Sequence, residues 1–161
     1  MKITSQEEHG LRILIRIAGC KDKDGMSIPQ LSEAENLSAH YVAKLARILR
    51  IGGFINSTPG YKGGYVLAKS ARDININTVV KVLNGLDPDL PSPNVNAGSL
   101  RLCTNSAECS SRSLWEMMQF IVNQFLDQIS LQDLVNPEAE SSKLFHRLLA
   151  ERHASYQQTP S

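Results

Sequence analysis

Long apolar runs are missing from this 161-residue sequence. None approaches the roughly 18–20 residues that span a bilayer, and the N-terminus lacks the basic, then apolar, then small-residue order of a secretory signal. A soluble cytoplasmic protein with no membrane partner is the expectation. Cysteine is scarce: Cys20, Cys103 and Cys109 are an odd number and too few for a disulfide framework. In a reducing compartment Cys103 and Cys109 read as thiols or metal ligands, and Cys20, in an apolar stretch, as a small core residue. Catalytic patterning is also missing. There is no glycine-rich nucleotide motif, no metal-hydrolase motif and no nucleophile–base pairing. Cys103 and Cys109 are spaced C-x5-C rather than the C-x-x-C of a thiol oxidoreductase. The chain is not expected to be an enzyme.

Net charge is nearly absent as well, at +1, which taken whole argues against a polyanion partner. The distribution reverses that inference. Residues 1–85 hold twelve Lys/Arg against seven Asp/Glu, and residues 86–161 hold five against nine. A basic first half beside an acidic second half suits a chain of which only the first part meets nucleic acid.

What is present is helical periodicity. Leu11, Leu14, Ile15 and Ala18 fall at i, i+3, i+4 and i+7, one buried stripe of a helix that a Ser5/Glu8 capping box would start. The stretch SIPQLSEAE fits a second, shorter helix with Pro29 in its first turn and Leu31 and Ala34 facing inward. After Asn36-Leu37-Ser38, Ser38 caps a third helix, in which Val42, Leu45, Ala46 and Leu49 repeat the stripe and Gly52-Gly53 ends it. Two helices joined by a tight turn form a helix-turn-helix. With that stripe packed inward, the outward face of the third helix carries His40, Tyr41, Lys44 and Arg47.

Phe54–Thr58 and Gly64–Leu67 then read as two short strands around the tip PGYKGG. A hairpin directly after a helix-turn-helix is a wing. Its glycines let backbone approach a phosphate or a minor groove, where Lys62 supplies charge and Tyr61 a ring with a hydroxyl. Ile76, Val79, Val80 and Leu83 mark a further helix that closes the first domain near Gly85.

The division expected is a winged helix-turn-helix domain over 1–85, a Pro/Asn/Ser-rich linker and cysteine loop over 86–112, a long dimerisation helix over 113–136, and a tail over 137–161. Trp115, Met118, Val122, Phe125 and Ile129 form a 3-4 seam on that long helix, with Leu114, Met117 and Ile121 as a second stripe beside it. One helix with two apolar stripes calls for a partner subunit. The tail holds a short helix around 142–151 and a polar end expected to be disordered. The fold class is mostly α with a small β-hairpin wing.

This order resembles the IscR/NsrR-type family of winged-helix transcription regulators, many of which sense iron–sulfur status or redox signals. The resemblance runs from Met1 to about Val135. It rests on MKITSQEEHGLRILIRIA as the first helix, SAHYVAKLARILRIGGFI as the recognition helix, and GYKGGYVLAKSARDININTVVKVLNG as the wing and the helix after it. Family members commonly carry three cysteines before a Leu-Trp pair. Anchored on Leu114-Trp115, Cys109 and Cys103 match the third and second, and the first falls near Ala97. Arg112 stands where some members use a histidine.

The resemblance therefore implies a two-iron rather than four-iron cluster on Cys103 and Cys109, or a bare thiol sensor. A further ligand would come from Glu8 of the partner subunit, with His9 and Glu108 as other candidates. It also implies a homodimer on a pseudo-palindromic double-stranded operator. Ser38, His40, Tyr41, Lys44 and Arg47 would face the major groove, and Tyr61 and Lys62 the backbone or minor groove. The competing expectation is a winged-helix protein-interaction module, which would lack the steep salt dependence of phosphate binding.

Overall fold

A cap, rather than propensity, fixes the start of the fold. The computed structural model describes residues 4–60, 63–85, 110–136 and, in the tail, 142–143, 146–148 and 150. Helix α1 (Ser5–Gly19) is capped by Thr4, whose extended backbone lets its Oγ1 accept from Glu7 N at 3.2 Å while Glu7 Oε2 accepts from Thr4 N at 2.6 Å. The capping box is thus Thr4/Glu7, not Ser5/Glu8. Ser5 is already helical, and Glu7 is held in this register because its other oxygen accepts from Asn84 Nδ2 at 2.7 Å. The buried face of α1 is Gly10, Ile13, Leu14 and Ile17. Leu11, Ile15 and Ala18, expected in the stripe, flank it half-buried. Apolar residues lie on both sides of that line, so contacts with the other helices choose which of them is central.

Helix α2 (Ile28–Glu35) starts on a Ser27/Gln30 capping box with Pro29 in the first turn, and ends at Asn36 in the left-handed region (φ 53°). Leu31 is fully buried as expected, but Ala34 is exposed and Glu35 is buried instead. The reason is electrostatic, since two arginines of α1 draw the carboxylate inward. Helix α3 (Ala39–Ile51) follows Ser38, whose Oγ accepts from Tyr41 N at 3.3 Å. Val42, Leu45, Ala46 and Leu49 are all at 0% exposure. Four such side chains contribute roughly 1.5–3 kcal/mol each, less for alanine, and fix which face of α3 is left outside. Gly53, at φ +73°, turns the chain straight into the wing.

The wing pairs β1 (Ile55–Ser57) with β2 (Tyr65–Leu67), antiparallel, in the register Ile55↔Leu67 and Ser57↔Tyr65. Met26 adds a bridge on the other edge of Tyr65. Gly64 permits this close packing, because a Cβ there would sit 2.4 Å from the Asp24 carbonyl oxygen. After a short 3-10 turn (Ala71–Asp73), Asn75 caps α4 (Ile76–Leu83).

The expected single helix over 113–136 is two helices, α5 (Ser110–Leu126) and α6 (Leu131–Val135). The break has a cause. Asn77 Nδ2 donates to Asp127 Oδ1 at 2.7 Å, Ile76 N to the Ile129 carbonyl at 3.0 Å, and Leu131 N to the Ile74 carbonyl at 2.8 Å. The start of α4 therefore captures the chain, and Ser130 with Asp133 begins a new capped helix. Ile129, expected on the seam, leaves it and is buried in the core with Leu131. Leu148 of the tail joins the same core, and the described tail residues are helical. No helix among the described residues is long and apolar enough to cross a membrane.

Candidate nucleic-acid interface and sensing residues

The outer face of α3 is basic because the inner face is full. Val42, Leu45, Ala46 and Leu49 occupy the core side, so the 3.6-residue period puts His40, Lys44 and Arg47 outside, where all three are exposed. Helix α3 has no acidic residue. Among the described residues, Lys44 and Arg47 make no ion pair. Cations without an internal partner are what a phosphate backbone can take up. Ser38 is exposed too, although its oxygen already serves the cap.

Tyr41 differs. It is half-buried, and its ring meets His9 of α1 edge-on, centroids 5.7 Å apart at 87°. Ile51, 73% exposed, lies four residues beyond Arg47 on the same face and was missed in the sequence. Its signal was there: the i+4 spacing places an apolar residue on an otherwise polar face.

The wing springs from the end of α3 by the Gly52-Gly53 turn, and its first strand lies against that helix. Thr58 locks the base, its Oγ1 accepting from Gly64 N at 2.8 Å. Tyr61 and Lys62 lie outside the described residues, as do Cys103, Glu108 and Cys109.

Of the sensing candidates, Glu8 and His9 can be placed. With the capping role taken by Glu7, the Glu8 side chain is 59% exposed and, among the described residues, meets only Arg12, at 3.7 Å. His9 is half-buried, and its Nδ1 is buried without a hydrogen-bond partner. No group of three or more His, Cys, Asp or Glu among the described residues could hold a metal ion. The Glu8 carboxylate faces solvent in the first turns of α1, so its oxygens are open to an outside ligand.

Behind the interface, Glu35 is enclosed, its side chain 2% exposed, and accepts from Arg12 Nε and Arg16 Nε at 2.6 Å each. Burial alone would raise the carboxyl's pKa. The hydrogen bonds and charges of Arg16 and Arg12 outweigh that and hold it below the ordinary value. Helix α5 presents an apolar surface. Phe120, Met117, Leu114 and Trp115 are 62%, 58%, 55% and 50% exposed, while Phe125 and Leu126 pack on the domain.

A helix-turn-helix with a basic outer face, followed at once by a wing, defines a winged-helix transcription regulator. The chain belongs to the Rrf2 family, described as iron-dependent transcriptional regulators, whose pattern it matches over residues 3–137. It is 32% identical over 135 residues to protein rrf2 of Nitratidesulfovibrio vulgaris strain Hildenborough, covering 84% of this chain and 87% of that one. It is 26% identical over 136 residues to the regulator IscR of Pectobacterium carotovorum, covering 84% and 80%. Among solved structures it resembles CymR, the global cysteine regulator of B. subtilis. There the TM-score is 0.66 and the identity 30%, over 84% of this chain and 96% of that one. These relatives are regulators and not enzymes, and so is this chain.

Proposed function

We propose that the protein is a homodimeric transcription regulator that binds a pseudo-palindromic operator and responds to iron–sulfur or redox status through Cys103 and Cys109. The observation that carries the DNA-binding part is the outer face of α3, where Lys44 and Arg47 are exposed and without ion pairs among the described residues. Dimerisation is supported by α5, where Leu114, Trp115, Met117 and Phe120 stand in water at half exposure or more over two turns. Such a surface on a soluble chain calls for a partner, and a second α5 is the simplest one. Two recognition helices related by a two-fold axis would then enter successive major grooves.

For sensing, Cys103, Cys109 and Glu8 of the partner subunit would hold an iron–sulfur cluster, [2Fe-2S] rather than four-iron. The family's description as iron-dependent supports this, as does the open Glu8 carboxylate. When bound, a cluster with mixed thiolate and carboxylate ligation supplies a redox-responsive and partly labile centre. The Glu7–Asn84 bond ties the end of α4, after which the chain runs on to the cysteines, to the start of α1.

A second reading, a cluster-free thiol regulator, is favoured by Ala97 standing where a third cysteine is expected. Anaerobic purification separates the two. Coloured protein that bleaches in Cys103→Ala and Cys109→Ala, and changes spectrum in Glu8→Ala, supports the cluster. Colourless protein after reconstitution overturns it in favour of the thiol.

A further inference from the structure

A cavity of about 630 Å³ opens between α1, α2, the connection joining them and α6. None of its lining residues belongs to the outer face of α3. Its volume is in the range of small-molecule sites. Its floor is charged, because Arg12 and Arg16 both lie on Glu35. Each arginine commits its Nε to that carboxylate. Among the described residues, the terminal nitrogens of Arg16 keep their donors, and those of Arg12 meet only Glu8 at 3.7 Å. A planar fork with free terminal donors suits a carboxylate. Asp22 also lines the cavity, so its charged groups balance at two of each sign. Arg12, Arg16 and Glu35 together leave one positive charge against the one negative charge of Asp22, and a lining neutral in sum matches a zwitterion better than a multiply charged anion. Ile15, Met26 and Val135 supply the apolar remainder.

We propose that this cavity is an effector site for a free α-amino acid with a small apolar side chain. Arg12 and Arg16 hold its carboxylate, Asp22 accepts from its ammonium group, and Ile15, Met26 and Val135 cover its side chain. The position gives the site a way to act. Glu35 belongs to the helix-turn-helix, Met26 bridges the wing at Tyr65, and Val135 belongs to the helix that follows the α5 arm. A ligand touching all three shifts the balance between arrangements that hold the reading heads differently. That regulatory consequence rests on the DNA-binding reading; the site itself does not.

Thermal melting of the full-length protein without DNA tests the site alone. The probes are L-alanine, L-valine and L-leucine, with isovalerate lacking the ammonium group and inorganic phosphate lacking the apolar body. Two variants report on the cavity. At Gly19, which lines it, an added Cβ meets nothing within 4 Å, so Gly19→Leu can branch from an unobstructed Cβ to occupy space beside the ligand. Arg16→Lys keeps the charge and removes the fork. The expected result is a saturable rise in Tm with at least one of the amino acids, larger than with isovalerate, and absent with phosphate. Apparent affinity should fall by about tenfold or more in both variants. No rise with any amino acid, an equal rise in Gly19→Leu, or a rise with phosphate alone overturns the proposal. Adding the effective amino acid to a DNA-binding titration then tests the regulatory arm. Unchanged operator affinity would remove that arm, and absent DNA binding would remove the DNA-binding reading without touching the melting result.

Discussion

Replacing Glu35 by glutamine tests how the helix-turn-helix is fastened to the rest of the domain. The wild-type carboxylate, 2% exposed, receives one charge-assisted hydrogen bond from each of Arg12 and Arg16 at 2.6 Å. Hydrogen bonds to charged groups contribute roughly 1.5–3 kcal/mol each. Removing one partner of a fully buried ion pair costs about 3–5 kcal/mol, because the other charge is stranded. Here the arginine side chains are 50% and 53% exposed, so their charges return to water and the loss is smaller. Glutamine also keeps one acceptor oxygen but turns an NH2 group toward the second guanidinium. The expected loss at neutral pH is about 2–3 kcal/mol, a fall in Tm on the order of 4–12 °C for a chain of this size.

The pH dependence has a definite sign. The folded carboxyl titrates below its ordinary value of 4.5, so near that pH the unfolded chain binds more protons than the folded one. The contribution is therefore fully present above the ordinary value and is lost as pH falls through the lower folded pKa. Urea denaturation of wild type and Glu35→Gln over this range reads both effects. Equal stability at pH 7, or a gap that does not narrow on acidification, would refute the reasoning.

Two further outcomes separate closely spaced alternatives. Thr4→Ala should cost about 1 kcal/mol in denaturant titrations and Ser5→Ala within about 0.5 kcal/mol of nothing; the reverse order would restore the Ser5/Glu8 cap. Phe120→Asp, at a side chain 62% exposed in the single subunit, should leave helix content by circular dichroism intact while light scattering shows a monomer; an unchanged oligomeric mass would remove α5 as the interface.

The sequence showed the fold wherever one signal acted alone. The stripe Val42–Leu49 and the Ser38 cap were legible because α3 buries one face and leaves a polar one, and the wing because strands and glycines are sharply bounded. Errors arose where two signals competed. Thr4 and Ser5 are both good caps with a glutamate three residues on, and only the bond from Asn84, nearly eighty residues away, decides for Thr4. Ala34 looked more buriable than Glu35 until Arg12 and Arg16 were brought beside it. The long helix kept its apolar spacing through Ile129, yet the start of α4 interrupts it with long-range hydrogen bonds. At the candidate interface, the exposure of His40, Lys44 and Arg47 followed from the helical wheel. The contact of Tyr41 with His9 did not, since it joins two helices that periodicity treats separately.

The central claim, that the outer face of α3 reads DNA, is tested most directly by fluorescence anisotropy of the full-length protein. The two duplexes are one enriched from a random pool by the wild type and a scrambled control, each titrated over a salt series. Wild type should prefer the enriched duplex by about a thousandfold or more. Lys44→Ala should weaken binding and, where Lys44 meets a phosphate, lower the salt slope by about one. Equal binding of both duplexes by the wild type, or wild-type affinity, slope and preference in both Lys44→Ala and Arg47→Ala, would contradict it.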